Sequence, residues 1–530
     1  MDKKLKKLPV GVYTLEKIIN ENYLYIDKTQ IALNLIENNE YVFLSRPRRF
    51  GKSLFLDTLS EIFKGNKELF KGLYIYDKYD FKEYPVIKIS FSGGVYNKED
   101  LNEHLLHVMK INQENLGIEC ENQTNASICF SELIIQANKK YKSKVVVLID
   151  EYDKPILDNI TNPESAGEIR NSLRDFYTRI KDSDRYLKFA FLTGVSKFTK
   201  TSIFSGLNNI TDITLNPRYG NICGYTQKDI ETLFLPYLNG VDLKKLKEWY
   251  NGYNFLKDKV YNPYNILLFI QKGKKYKNYW FESGTPTFLI KLIKEQNYVL
   301  PRLSDITVGE ELINSFDVDN IRIETLLFQT GYLTIDKENE TLRGGYVYDL
   351  KMPNIEVRIS LNDLFINYLT NNFEERIKIQ DKLYLILQNA ELNEFKTILI
   401  SLFASLPYNN YVGNNISYYE GYYASVIYAY LASLGIDIIA EDVTNRGRID
   451  LTVKMGNYIY IIEFKVTSAQ LSNSSDDTEK GENTALQQIK DKNYAQKYLS
   501  EGKDIYLIGI VFDKEEKNIT HFNWETIKSI

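Results

Sequence analysis

Tyr41-Val-Phe-Leu-Ser-Arg-Pro-Arg-Arg-Phe-Gly-Lys-Ser-Leu-Phe-Leu56 decides how the first half of this 530-residue chain is read. Tyr41 to Leu44 form a short apolar run, which predicts a buried strand. The run breaks over Ser45 to Phe50. A helical apolar period resumes after Gly51-Lys52-Ser53, through Leu54, Phe55, Leu59 and Phe63. Strand, loop, Gly-Lys-Ser and helix form the context of a phosphate-binding loop. Backbone N–H groups at the helix start point at an anion, and the helix dipole favours its charge. In that reading Lys52 reaches the outer phosphates and the Ser53 hydroxyl ligates Mg²⁺. Arg46, Arg48, Arg49, Phe50, Gly51 and Leu54 complete the candidate nucleotide-binding stretch. The usual first glycine of such a loop falls at Arg46, so the pattern is Arg46-x-x-x-x-Gly51-Lys52-Ser53. Gly-Lys-Ser after an apolar run also arises by chance, so the motif needs a partner.

Val145-Val-Val-Leu-Ile-Asp150-Glu151 supplies one. It predicts a buried strand ending in two carboxylates, set in a parallel sheet beside the loop strand. There Asp150 holds Mg²⁺ through water, and Glu151 polarises an attacking water. The plainer reading is a charged strand end. Leu187-Lys-Phe-Ala-Phe-Leu-Thr193-Gly194-Val195 predicts another buried strand, with Thr193 either sensing the γ-phosphate or capping the strand. Further strands over Pro85 to Phe91 and Ile210 to Leu215, alternating with helices, make residues 1–235 an α/β domain with a largely parallel sheet. His104 and His107 form an i, i+3 pair without a third ligand nearby, which reads as a solvated helix face.

Length predicts about three domains, because one core cannot serve a chain of this size. Net charge is −4, which excludes a global basic field and makes any nucleic-acid contact local. Cys120, Cys129 and Cys223 have wide, unpatterned spacing, which predicts a reducing compartment and neither a disulfide nor a zinc framework. No apolar run reaches membrane-spanning length, and Met1-Asp-Lys-Lys-Leu-Lys-Lys7 lacks the apolar core of a signal peptide. A cytoplasmic protein is the expectation.

From Thr226 to about Tyr298 the pattern turns helical and aromatic, with Trp249-Tyr250-Asn251-Gly252-Tyr253 and Tyr261-Asn-Pro263-Tyr264; such a stripe is more often core than ligand site. A helix near Ile321 to Gln329, a hairpin of Tyr332–Ile335 with Tyr346–Leu350, and a further helix fit a winged helix. They fit a generic small α+β module equally well. After an Asn-rich break at 409–415, Tyr418 to Gly435 predicts a helix closed by glycine. Strands over Ile449–Val453 and Tyr458–Val466 then join at a Gly456-Asn457 turn. They carry Asp450, Glu463 and Lys465 in otherwise apolar runs, where an unpaired charge is costly. Glu463 and Lys465 share a strand face. With Asp450 on that face, the carboxylates and the Phe464 carbonyl make an oxygen-rich Mg²⁺ site. Lys465 then orients or deprotonates the attacking water, or stabilises charge in the transition state. The bland alternative is an edge hairpin with a Glu–Lys pair in solvent.

These motifs together resemble bacterial AAA-ATPase-like proteins with a C-terminal PD-(D/E)XK nuclease domain. The resemblance is carried by Arg46-Pro-Arg-Arg-Phe-Gly-Lys-Ser53, Leu148-Ile-Asp-Glu-Tyr-Asp153, Leu192-Thr-Gly-Val-Ser196 and Ser202-Ile-Phe-Ser-Gly-Leu-Asn-Asn209. It continues in Trp249 to Tyr253, Phe328-Gln-Thr-Gly-Tyr-Leu-Thr334, Gly447-Arg-Ile-Asp450 and Ile462-Glu-Phe-Lys465. Arg46 in place of glycine is itself what the family looks like. The resemblance implies a P-loop NTPase domain over 1–235, a helical lid-like region over 236–300, a winged-helix-like and helical connector over 301–410, and a restriction-endonuclease-like α/β domain over 411–530. It also implies that Glu420 completes the acidic site and that Gln488 supports it, although Gln487 and Gln488 fit an exposed helix face as well. ATP and Mg²⁺ are the implied cofactors and DNA the implied partner, with a homo-oligomer open. A regulatory nucleotide switch with slow turnover stays open too. Its motivation is the odd loop and the absence of an arginine finger singled out among Arg174, Arg179, Arg185 and Arg218.

Overall fold

A computed structural model of the chain describes residues 5–91, 93–198, 203–204, 207, 209–280, 289–290, 292–293, 296, 298–304, 306–313, 321–370, 373–406, 420–467 and 484–529. The chain divides into two compact units, one of residues 1–284 with 307–354 and the other of 285–306 with 355–530.

The first unit is built on a parallel sheet. Its strands are β1 (Tyr41–Ser45), β2 (Val86–Ser90), β3 (Val145–Asp150), β4 (Leu187–Gly194) and β5 (Thr211–Asp212). Their order is β2-β3-β4-β1-β5. The continuous apolar runs read as β1 and β3 are buried at every residue, as parallel strands covered on both faces must be. One detail departs from the sequence reading. The acid strand β3 does not lie beside the loop strand β1; β4 stands between them, pairing Ala190 with both Tyr41 and Val147. At eight residues β4 is the longest strand of this sheet and is buried along nearly all of its length, which suits it to the centre. Helices Lys98–Leu116 and Ala126–Tyr141 start at Asn97 and Asn125, whose side chains cap them. Helix Pro163–Asp182 packs Phe176 against Phe130 of the second, with ring centroids 4.7 Å apart.

His104 spends its ring on the sheet, donating from Nε2 to the Ser90 carbonyl at 3.0 Å. Cys120 and Cys129 form a disulfide, against the expectation of none. The chain reverses after the Gly117 helix end and brings two cysteines together that lie nine residues apart.

The aromatic stretch after Thr226 is core, as read. Tyr250, Tyr261 and Tyr279 join Phe234, Leu246 and Phe269 in one buried cluster. A small antiparallel pair of β6 (Tyr225–Thr226) and β7 (Val260–Tyr261) lies beside it. Residues 307–354 add β8 (Ile306–Gly309), β9 (Thr334–Glu340) and β10 (Tyr346–Lys351) in a three-stranded sheet, with helix Ile323–Thr330 between β8 and β9. The helix–hairpin order read from the sequence is present. Six of the eight residues of that helix are buried, so it has little free face for a nucleic-acid groove.

The second unit carries a five-stranded mixed sheet of β11 (Asp437–Thr444), β12 (Gly447–Met455), β13 (Tyr458–Thr467), β14 (Asp504–Asp513) and β15 (Asn518–Ile527), in that order. Only β13 and β14 run parallel. Helices Ile355–Thr370, Phe373–Asn389, Leu392–Ala404 and Glu420–Ser433 belong to the same unit. Among the described residues, no helix is long and apolar enough to cross a membrane.

Candidate functional sites

In the first unit, β1 ends at Ser45 and helix Lys52–Phe63 begins at Lys52. The loop between them turns through Arg49 and Gly51, both left-handed at φ 67° and 94°. This curl is the conformation in which successive backbone N–H groups converge on an anion. The loop borders a pocket of about 540 Å³. Arg48, Arg49, Gly51, Lys52, Ser53 and Leu54 line one side of it, and Glu151 and Asp153, from the exit of β3, line the other. Pro9, Val12, Tyr225, Pro263 and Tyr264 give it an apolar wall. The Arg49 guanidinium lies 3.9 Å over the Tyr264 ring.

Lys52 is buried and donates to the carbonyls of Arg46 and Pro47 at 3.0 and 3.1 Å. Burial lowers its pKa, and the charges of Asp150 and Asp153 oppose that shift. Asp150 is buried behind the pocket and accepts the Glu151 N–H at 3.0 Å. Glu151 has a left-handed backbone, φ 54°, and its carboxyl is raised by burial and then by Asp150. A carboxyl whose pKa is raised beside a lysine fits a group that handles protons.

Three candidate residues lie elsewhere than the sequence reading put them. The Arg46 guanidinium turns into the fold, donating to the carbonyls of Ser45 and Thr214 at 2.8 Å and lying 3.9 Å over the Phe255 ring. Phe50 packs edge-on against Tyr253, with ring centroids 4.8 Å apart. Thr193 is buried and donates its hydroxyl to the Leu44 carbonyl at 2.9 Å, so the hydroxyl ties β4 to β1. The pocket wall at that end of β4 is Val195. The sequence reading missed Asp153. Its carboxylate accepts the N–H groups of Val195 and Ser196 at 3.0 and 2.6 Å and the Ser196 hydroxyl at 2.5 Å. The available signal was a second aspartate three residues after Asp150, just past the end of a buried strand.

The second unit gathers Asp450, Glu463, Lys465 and Gln488. Strands β12 and β13 pair from Met455↔Tyr458 to Leu451↔Ile462 and no further. Where pairing stops, the Asp450 carboxylate takes the Phe464 N–H at 2.7 Å. Phe464 itself is buried, its ring centroid 6.3 Å from that of Phe512. Glu463 is fully buried, and its Oε2 accepts from Gln488 Nε2 at 2.9 Å. Gln488 thus faces the site and not solvent. Its helix, Thr484–Asp491, lies so close on β14 that a Cβ at Gly509 would sit 2.4 Å from the Leu486 nitrogen. Gly509 is the register partner of Glu463. Burial first, and then the Asp450 charge, hold the Glu463 carboxyl far above the ordinary range; Lys465 opposes the shift. Burial also raises Asp450.

Glu463 Oε1 is buried and receives no N–H or hydroxyl hydrogen bond, and the Glu463 and Asp450 carboxyls hydrogen-bond to each other. Two acids that must share a proton when no cation is between them suit a hard divalent metal. Among the described residues, no cluster of three or more His, Cys, Asp or Glu side chains supplements the pair. Glu420 opens helix Glu420–Ser433, and its side chain lies outside the described residues. Tyr494 is a further residue missed from sequence. Its hydroxyl donates to the Arg448 carbonyl at 2.7 Å, and its pKa is raised by burial and then by Glu463.

Residues 9–204 match the family described as predicted AAA-ATPase, and residues 418–522 match the PD-(D/E)XK nuclease superfamily. An Azotobacter chroococcum mcd 1 protein, named only as an uncharacterized protein in the vnfD 5′ region, is 45% identical over 526 residues, covering 98% of this chain and 99% of its own. The chain belongs to this AAA-ATPase-like family with a C-terminal PD-(D/E)XK nuclease domain. In this AAA-ATPase-like protein the first match contains the loop, Asp150, Glu151 and Thr193, and the second contains Asp450, Glu463, Lys465 and Gln488. Helix Ile323–Thr330 and the aromatic core around Tyr250 fall between the two matches.

Proposed function

We propose that this protein binds and hydrolyses ATP in its first unit and cleaves DNA phosphodiester bonds with Mg²⁺ in its second. The observation that carries the reading is the hydrogen-bonded pair of buried Glu463 and half-buried Asp450, in a chain that also has the pocket around Lys52. In the first unit the loop N–H groups and Lys52 take the phosphates, Lys52 giving up the Arg46 and Pro47 carbonyls. Glu151 orients water and accepts its proton as the bond to the γ-phosphorus forms and the bond to the bridging oxygen breaks. In the second unit, the Phe464 N–H fixes Asp450 and Gln488 fixes Glu463. Lys465 orients the attacking water at the phosphodiester; the new P–O bond forms as a P–O ester bond breaks, and the proton lost by the water is taken up by the departing ester oxygen. Mg²⁺ held by Ser53 and Asp150, and by Asp450 and Glu463 with Glu420, would neutralise charge developing on the two reacting phosphates.

A slow nucleotide switch with a DNA-binding, non-cleaving second unit is the competing reading. The Thr193 hydroxyl favours it, being spent on β1 instead of facing the pocket. One assay separates the two: wild type, Lys52→Ala and Lys465→Ala with ATP, Mg²⁺ and a panel of DNA and RNA substrates. We expect turnover lost in Lys52→Ala and cleavage lost in Lys465→Ala. Intact nucleic acid under every divalent metal, with wild-type turnover no faster than that of Lys52→Ala, would sink the proposal.

A further inference from the structure

Gln329 lies outside both family matches, yet its side chain ends at the nucleotide pocket's supporting turn. It is buried in the last turn of helix Ile323–Thr330. Its Oε1 accepts the Lys197 N–H at 3.0 Å, and its Nε2 donates to the Ile313 carbonyl at 3.2 Å and to the Lys197 carbonyl at 3.5 Å. Lys197 closes the turn that leaves β4, and its ammonium pairs with Asp212 of β5. The same turn is gripped from two other strands. Asp153, after β3, takes the Val195 and Ser196 N–H groups, and the Ser45 hydroxyl at the end of β1 donates to the Val195 carbonyl at 2.5 Å. Two residues after Gln329, Gly331 is left-handed at φ 92°, and a Cβ there would sit 2.7 Å from Pro47 Cβ in the phosphate loop. One helix end therefore abuts both the loop that faces the phosphates and the turn that carries Val195 and neighbours Asp153 in the pocket wall.

We propose that Gln329 is a positioning residue for ATP hydrolysis, holding the Val195–Lys197 turn in register with the phosphate loop. This rests on the ATPase reading of the first unit. Gln329 acts through the turn and touches no reacting atom. Losing it lets Val195, Ser196 and the Asp153 carboxylate drift together, while the loop and Lys52 keep their grip on the phosphates. The effect falls on the chemical step more than on binding. A displacement on the order of 1 Å in such a wall costs up to about a hundredfold in rate.

The test is steady-state ATP turnover across ATP concentration by full-length wild type, Gln329→Met, Lys52→Ala and Phe130→Leu, with the melting temperature of each. Phe130 stacks on Phe176 in the helical layer and does not line the pocket, so it serves as a control for lost stability alone. Gln329→Met keeps the side-chain volume and removes all three hydrogen bonds. We expect its kcat to fall at least about tenfold, with KM changed less than about threefold. Phe130→Leu should lower the melting temperature by a similar amount or more while keeping kcat. Should Gln329→Met not fold, Gln329→Asn, one methylene too short to reach Lys197, carries the same expectation. Wild-type kcat in the Gln329 variant overturns the inference and leaves the ATPase reading standing. So does an equal loss of kcat in Phe130→Leu. Turnover in wild type no higher than in Lys52→Ala overturns both.

Discussion

Arg46 stands where a phosphate loop ordinarily carries glycine, and its charge is spent inside the fold. The guanidinium satisfies carbonyls of Ser45 and Thr214 and covers Phe255; burial lowers its pKa only to about 10, so it stays charged at neutral pH. Restoring the usual glycine should therefore weaken the protein. Arg46→Gly strands buried carbonyls and is expected to cost about 2–4 kcal/mol of unfolding free energy, read from urea denaturation. An unchanged midpoint would refute this account of Arg46. The loop motif was legible in the sequence, but the direction of this side chain was not, because its hydrogen-bond partners other than Ser45 are 168 residues or more away along the chain. The carboxylate pair was legible too, from charges set in apolar strands. What the sequence hid was the proton balance. Folded Glu463 holds its proton more tightly than the unfolded chain does, through burial and then Asp450. Stability of metal-free protein should then fall as pH rises above the ordinary Glu value of 4.5 and through neutrality. Mg²⁺ should raise the wild-type melting temperature most at the high end of that range, where the pair gives up its proton. Glu463→Gln should flatten the metal-free slope and abolish the Mg²⁺ response, both visible in melting curves from pH 5 to 9. A Glu463→Gln slope as steep as that of wild type would contradict this.

Elements differ in how openly their sequence announces them. β1, β3 and β4 are unbroken apolar runs, and their existence follows from composition alone. Their lateral order does not, since two parallel neighbours look alike along the chain; β4 takes the middle place through the crossovers around it. The cysteine pair escaped for a similar reason, because a nine-residue spacing says nothing about a loop that doubles back. Helix Thr484–Asp491 shows an element whose position matters more than its existence. It reaches Glu463 through Gln488 only because Gly509 leaves room for the Leu486 backbone. Gly509→Ala should lift the helix, release Gln488 and cut nucleic-acid cleavage at least about tenfold, with ATP turnover unaltered. Full cleavage by Gly509→Ala would mean that helix placement does not govern the carboxylate.

At the scale of the molecule, the unit boundary is not a single cut. Residues 285–306 belong with 355–530, and residues 307–354 belong with 1–284. The inserted segment is bonded into its unit: the Leu300 N–H donates to Ser425 Oγ at 3.1 Å, and Val299 lies where a Cβ on Gly421 would meet it at 2.8 Å. A fragment of 355–530 alone should therefore melt lower than the same fragment supplied with residues 285–306 on a short linker. Equal melting curves would show the segment to be dispensable. Composition and motif spacing suggested successive domains and gave no sign of this interleaving, because burial partners across such distances leave no periodic trace.

The interleaving also sets a timetable for synthesis. Since the first unit includes residues up to 354, it is complete only when that point has left the ribosome. Asp450 and Glu463 emerge about a hundred residues later still. The nascent polypeptide thus completes the pocket around Lys52 before it owns Asp450 and Glu463, and a product terminated between residue 354 and Asp450 would carry that pocket without the acidic pair.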